Sequence, residues 1–411
     1  MTAYEMDYFF DQVDMASSAP VLDRRALSVQ LPVNLETVRL KQWPSWLLDL
    51  IPSGVARVRL AEDLGMKVDD KALELQLVRR VGATPIGNLR IKEAWEEEAV
   101  RLRDVKCPPL SDADISNRTE LFMDVVSQFA YLASGSKGVQ GEWPKALLTR
   151  AADGDWYPDP FVETGAGLEY IIVKVLQSRD HEDELIIASE APYLEVARWF
   201  DLNVAASLTY SSGVLKIPRF DRSVADGVVA LHGQESIVSA LGVAEFAYSG
   251  WHEDYLRIIR EVSDDAAADT IEYVLRDMLN MAMGNPDNHG RNTAFKKDAT
   301  GGVRLSPLYD FAPMTLSKNA ISRATRWHCL YGKGAINPWP EICAAAAFDG
   351  LRAETIEQAL YDRLPALWNL PSVAANASVP TEVVKRACSR AEAVADEIES
   401  MRNAKAHIFR P

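Results

Sequence analysis

Gly284-Asn285-Pro286-Asp287-Asn288-His289-Gly290-Arg291-Asn292 is the stretch on which the reading of this chain turns. It follows an apolar stripe at positions 271, 274, 275, 278, 279 and 283, which predicts a helix over Ile271 to Met283. A second stretch comes soon after: Leu305-Ser306-Pro307-Leu308-Tyr309-Asp310-Phe311-Ala312. Between the two, Thr293-Ala294-Phe295 and Val303-Arg304-Leu305 flank the Gly-bearing turn Lys296 to Gly302, a pattern that predicts a short hairpin. Alone, the D-x-x-x-x-N spacing of Asp287 and Asn292 reads as a turn, because Asn, Asp, Gly and Pro gather in loops for conformational reasons. The hairpin and Asp310 in a D-F-A triplet change that reading. Phosphoryl transfer needs a carboxylate beside the acceptor hydroxyl, an amide oxygen and a second carboxylate on the metal, and a lysine on the phosphates. A hairpin returns the chain to its start, so Asp310 is expected to meet Asn292 around one Mg²⁺ ion. His289 has no second histidine at ligand spacing, so an ordered hydrogen-bonding role in the loop is expected before a base or metal ligand.

Working outward, the chain has 411 residues, with 44 Lys+Arg against 59 Asp+Glu and a net charge of −15. A hydrophobic fraction of 48% excludes disorder over most of the length. The acidic balance leaves no footprint for autonomous, non-specific nucleic-acid binding, so DNA is expected only through a partner. Cys107, Cys329, Cys343 and Cys388 lie far apart without ligand-like spacing and read as reduced core thiols. Met1 to Phe10 carries Glu5 and Asp7 in place of a basic region followed by an apolar one, which argues against a secretory signal. Leu364 to Thr381 holds Pro365, Pro371 and Pro380 and reads as a loop, with no membrane span. A reducing, cytoplasmic setting is the expectation.

Before Pro108-Pro109 the chain is broken into short elements, with helices expected at Ser45 to Leu50, Val55 to Leu64 and Ile91 to Val105. From Thr119 to Val214 the pattern is mixed: a helix over Leu121 to Leu132, a strand over Tyr170 to Leu176, and an amphipathic helix over Ala188 to Phe200. Beyond Phe220 the chain turns mostly helical, ending on a stripe from Val384 to Met401.

Ser134 to Lys145, S-G-S-K-G-V-Q-G-E-W-P-K, is rich in small residues that let backbone N–H groups approach phosphate, but it matches neither the Walker A pattern nor the protein-kinase Gly-rich loop. Lys174 interrupts an apolar strand, and a lysine is rarely buried unless something anionic meets it. That anion is either ATP, with Glu190 steering the ammonium, or Glu190 alone in a structural pair.

At this point the sequence resembles the HipA-type kinases, the toxin halves of bacterial type II toxin–antitoxin pairs. The resemblance rests on N-P-D-N-H-G-R-N with L-S-P-L-Y-D, on the G-x-Q-G-E-W-P-K loop, on I-I-V-K at Lys174, on Arg219-Phe220-Asp221-Arg222 and on His232-Gly233-Gln234-Glu235. Trp46 to Gly54 and Ile86-Gly87-Asn88-Leu89-Arg90-Ile91 are similar to the family's amino-terminal segments, so the likeness covers roughly residues 40 to 400. It implies an α+β, bilobal protein-kinase-like (HipA) fold: an added, shortened amino-terminal subdomain over 1–110, a mixed N-lobe over 111–221 and a mostly helical C-lobe over 222–411.

The resemblance also implies roles. Asp287 becomes the general base or hydroxyl-orienting residue, and Asn292 and Asp310 the Mg²⁺ ligands. Lys174, Lys145, Gly138, Gln140, Gly141, Glu190 and His289 fall to ATP, with adenine on the hinge backbone near Ile217 to Phe220, Arg219 included. Ser134 and Ser136 are the candidates for autophosphorylation, although Trp143 stands where the family usually has Gln. The implied activity is Mg·ATP-dependent serine/threonine kinase action on a translation component, notably an aminoacyl-tRNA synthetase. The implied partner is a helix-turn-helix antitoxin that supplies DNA binding; the missing amino-terminal piece is either supplied by a separately encoded subunit, as in split members of the family, or simply absent. Two other classes remain: a kinase-like binding subunit of an antitoxin–operator complex with catalysis secondary, and a small-molecule or lipid kinase.

Overall fold

The β-branched, aromatic run at Glu169–Val175 forms a strand in the computed structural model, and the rest of its sheet is built on it. The structure describes residues 1–15, 17, 19–52, 54–70, 72–129, 145–332 and 337–408. Numbered in chain order, the strands are β1 (Lys145–Arg150), β2 (Trp156–Pro158), β3 (Glu169–Val175), β4 (Thr209–Ser211), β5 (Val214–Pro218), β6 (Arg222–Ala225), β7 (Val228–Leu231), β8 (Gly233–Ser236), β9 (Ala294–Lys297) and β10 (Val303–Leu305). An antiparallel sheet runs in the order β2-β1-β3-β5-β4, a second in the order β10-β9-β8, and β6 pairs with β7. The expected hairpin is therefore present as β9 and β10.

The chain divides into two compact units, each assembled from separate stretches. The first takes Met1–Arg179, Ala206–Ala247 and Ala294–Val303. In it, Ala146 and Leu148 of β1, Val173 and Val175 of β3 and Val214 of β5 pack with Phe122, Val125 and Val126 of the helix Glu120–Phe129 in one apolar core. The opposite face of the sheet follows from the pleat: Lys145 stands opposite Lys174, and Leu147 opposite Ile172. A second core gathers Leu48, Leu60, Leu73 and Leu77 from the short amino-terminal helices.

The second unit takes Asp180–Ala205, Tyr248–Thr293 and Arg304–Pro411 and is built on helices. Ala266–Ala282 packs against Ala391–Ile408, with Val274, Met278, Leu279, Val394 and Ile398 wholly buried.

Three sequence expectations need correction. Leu364 to Thr381 is not a loop: it holds the helices Leu364–Trp368 and Leu370–Asn376, with Pro365 and Pro371 in their first turns, where a missing N–H costs nothing. The stripe from Val384 to Met401 is not one helix. Thr381–Ala387 and Ala391–Ile408 are separated by a 3₁₀ turn at Cys388–Arg390. The helix expected from Ala188 begins at His181, where the Asp180 carboxylate caps the Glu182 N–H and Glu182, Asp183 and Glu184 suit the positive end of the helix dipole. No helix among the described residues is long and apolar enough to cross a membrane.

Candidate active site

Helix Ala266–Ala282 delivers the decisive loop, and Gly284 ends it. Its φ of +65° is the left-handed turn of a helix terminus, and a Cβ there would lie 2.5 Å from the Ala387 carbonyl oxygen, so glycine is required twice over. The Asn285 N–H donates to the Asn280 carbonyl at 2.8 Å, and its side-chain amide donates to the Asn280 side chain at 2.9 Å. Asn285 Oδ1 in turn accepts from the Asp287 N–H at 3.3 Å. Further on, the Asn292 N–H reaches the His289 carbonyl at 2.9 Å, and Tyr309 Oη donates to the Arg291 carbonyl at 2.8 Å. The loop thus has no strand or helix of its own and is held by short backbone turns together with side chains.

These bonds bring Asn285, Asp287, Asn292, Thr293, Tyr309 and Asp310 around one cavity of about 30 Å³. Asp287, Asn292 and Asp310, expected to meet, do line the same space. Asp310 has a φ of +51°, a left-handed backbone in which, glycine aside, Asn and Asp are enriched and which in other side chains clusters at functional sites. Asn292 Nδ2 donates to the Asp287 carbonyl at 2.9 Å, which leaves its Oδ1 buried without a hydrogen-bond donor. A buried amide oxygen in that condition fits a hard cation, and with the Asp310 carboxylate it makes an all-oxygen pair of the kind Mg²⁺ takes. Among the described residues no group of three or more His, Cys, Asp or Glu gathers at a metal-binding distance. His289 Nε2 lies 3.5 Å from Asp287 Oδ1, beside the carboxylate.

The back of the cavity was not foreseen. His252, Tyr273 and Asp277 line it. Asp277 is buried and accepts from Trp327 Nε1 at 2.9 Å and from Arg323 Nη2. Burial alone would raise its pKa, but the charge of Arg323, then His252 and the Trp327 hydrogen bond, bring it below the ordinary carboxylate value. His252 Nδ1 shares a 2.7 Å hydrogen bond with Tyr273 Oη, and burial pushes this imidazole down to about 4 against the opposing pull of Asp277. Asp277 lies off the apolar stripe of its own helix, so its burial left no signal in the periodicity of the sequence.

The other expected residues fall as follows. Lys174 on β3 is buried at 5% exposure and stands opposite Lys145 on β1. The Arg219 guanidinium is buried in ion pairs with Asp159 at 2.5 Å and Asp221 at 2.7 Å, so its side chain serves the fold. The Arg219 N–H donates to the Tyr170 carbonyl at 3.0 Å; Phe220 beside it is half-buried. Glu190 lies buried on helix His181–Trp199, in the helical unit. Ser134, Ser136, Gly138, Gln140 and Gly141 lie outside the described residues.

The fold and the gathering of Asp287, Asn292 and Asp310 around one cavity describe a kinase-like protein of mixed α+β architecture. The sequence profile of the HipA-like C-terminal domain matches residues 137–368, more than half of the chain, and the chain belongs to this family. It is 27% identical over 301 residues to "Putative kinase Y4mE" of Sinorhizobium fredii, covering 69% of this chain and 67% of that protein. Among solved structures, the HipA–HipB–operator DNA complex of the Shewanella oneidensis MR-1 toxin–antitoxin system superposes with a TM-score of 0.61 at 16% identity, over 97% of this chain and 93% of that one. That likeness establishes the HipA-like, kinase-type fold across nearly the whole length.

Proposed function

We propose that this chain is a Mg·ATP-dependent serine/threonine protein kinase that acts as the toxin of a toxin–antitoxin pair. The observation that carries the reading is the gathering of Asp287, Asn292 and Asp310 around one cavity, with an amide oxygen of Asn292 buried and unsatisfied. In this reading Asp287 accepts a hydrogen bond from the acceptor hydroxyl and orients it for attack. Asn292 and Asp310 hold Mg²⁺, which when bound neutralises charge on the phosphates. Lys145 and Lys174, opposite one another on β1 and β3, hold phosphate oxygens. His289, beside Asp287, restrains that carboxylate.

The phosphoacceptor we assign is a serine or threonine of a translation component, an aminoacyl-tRNA synthetase being the leading case. The partner is a DNA-binding antitoxin. The related HipA of Shewanella oneidensis is found with HipB and operator DNA, which supports that pairing, and a net charge of −15 suits a basic partner.

The test is Asp287→Ala. Phosphate transfer to protein in a cell extract is expected to fall by about 10²–10⁴, while ATP binding and the unfolding midpoint hold. Phosphopeptide mass spectrometry with and without the substitution identifies the acceptor. Undiminished labelling by the variant would sink the assignment, and label entering a metabolite in place of protein would move it to a small-molecule kinase.

A further inference from the structure

The residue after Asp287 makes a contact that the transfer chemistry does not explain. Asn288 Nδ2 donates to the Thr325 carbonyl at 2.9 Å, the Thr325 N–H donates back to Asn288 Oδ1 at 3.1 Å, and Thr325 Oγ1 donates to the Asn288 carbonyl at 2.8 Å. The Asn288 side chain therefore stands in for a neighbouring strand, offering one acceptor and one donor to the backbone of a single residue 37 positions away. Only asparagine supplies both groups at this reach, since aspartate lacks the donor and glutamine is a methylene longer.

Thr325 belongs to a segment that follows Asp310 and is held by its surroundings through both side chains and backbone. Arg323 and Trp327 bond to the buried Asp277. The Arg326 carbonyl accepts from the His252 N–H at 2.9 Å. The Glu253 carboxylate accepts from the N–H groups of both His328 and Cys329 at 2.9 Å. Arg326 and His328 meanwhile remain exposed on its outer side. The segment has only a single β-bridge, Arg326 with Trp251, and the 3₁₀ turn that begins at His328, and it is pinned at several points; one pin is the neighbour of the proposed hydroxyl-orienting residue.

We infer that residues 323–329 form the acceptor-side wall of the site, and that Asn288 is a positioning residue that fixes this wall against Asp287. The inference rests on the kinase reading above. It predicts a selective defect: without the Asn288 side chain the acceptor protein is held less well, while the nucleotide side is untouched. Transfer of the γ-phosphoryl to water, giving ADP and phosphate, needs no acceptor wall and serves as the internal reference.

The experiment uses the full chain, γ-labelled ATP and dephosphorylated casein as the acceptor. Asn288→Ala is expected to lower casein labelling about tenfold through a higher KM for casein, with ATP hydrolysis and ATP affinity within about twofold of the unsubstituted chain. Thr325→Ser, which keeps every bond of the clamp, is expected to behave as the unsubstituted chain. If Asn288→Ala fails to fold, Asn288→Asp must show the same selective loss. Equal loss of transfer and hydrolysis, or no loss of either, overturns the inference. The two readings fail separately: Asp287→Ala that still labels casein breaks the catalytic assignment, whereas a dead Asp287→Ala beside a normal Asn288→Ala breaks only this one. A chain that labels no casein at all overturns both.

Discussion

Each unit buries a carboxylate against arginine, and the two arrangements differ in how completely they are closed. In the first unit the side chains of Arg219, Asp221 and Arg222 are 0%, 2% and 3% exposed. The Asp221 carboxylate also accepts from the Gly87 N–H at 2.7 Å. Gly87 has a φ of +87°, which a side chain would strain, and a Cβ there would sit 3.2 Å from the Gln234 nitrogen. Burial works against each charge. Even so, Asp221 and Asp159 hold the Arg219 pKa above its ordinary value, and Arg219 and Arg222 hold Asp221 far below the usual carboxylate range. In the second unit Asp277 is as deeply buried, but its partner Arg323 is 27% exposed and reaches it from a segment without regular structure. The closed cluster welds a turn to a sheet. The half-open one ties the segment beside the candidate site to the helical unit through bonds that solvent can reach.

The closed cluster should give the largest effect. Arg219→Ala leaves Asp159 and Asp221 buried with much of their compensation gone, and breaking one partner of such a group costs about 3–5 kcal/mol. The expected outcome is a fall of that size in unfolding free energy measured in urea. An unchanged midpoint would mean that Arg222 alone can satisfy both acids.

The half-open network should respond to pH instead. His252 faces Asp277, Arg323, Glu253, Tyr273 and Trp327, and its pKa is lowered from 6.5 to about 4. Between those values the unfolded chain binds the extra proton and the folded chain does not, so stability present above pH 6.5 is lost as pH falls toward 4. The full loss amounts to about 3 kcal/mol. Urea unfolding at intervals across that range should show the slope, and His252→Gln should flatten it. A slope that survives the substitution would place the titration elsewhere.

The contrast also explains what could be read in the sequence. β3 was legible because β-branched and apolar residues at Tyr170 to Val175 fit a pleated, half-buried surface, and Lys174 stood out against them. The D-x-x-x-x-N loop, the hairpin and Asp310 were legible because their residue types are chemically specialised and their spacing is short. Asp277, Asn288 and Thr325 were not. Their roles depend on residues 37 to 50 positions away, through side-chain bonds that leave no periodicity behind. Leu364 to Asn376 misled for a local reason, since proline in a first helical turn looks in sequence like proline in a loop.

The smallest effect should be the most localised. Arg323→Ala removes one charged partner of Asp277 from a site that water already touches, so the loss is that of a hydrogen bond to a charged group, about 2 kcal/mol. It should appear as local opening, because Thr325 and the Glu253 caps on His328 and Cys329 still hold the segment. An opening constant raised by about 2 kcal/mol corresponds to roughly thirtyfold faster amide exchange. We expect that acceleration at the protected N–H groups of Thr325, Arg326, His328 and Cys329, and none at Gly87 or Arg219 in the closed cluster. Uniform acceleration across both regions would show that Arg323 supports global stability, and the distinction between the two networks would then fail.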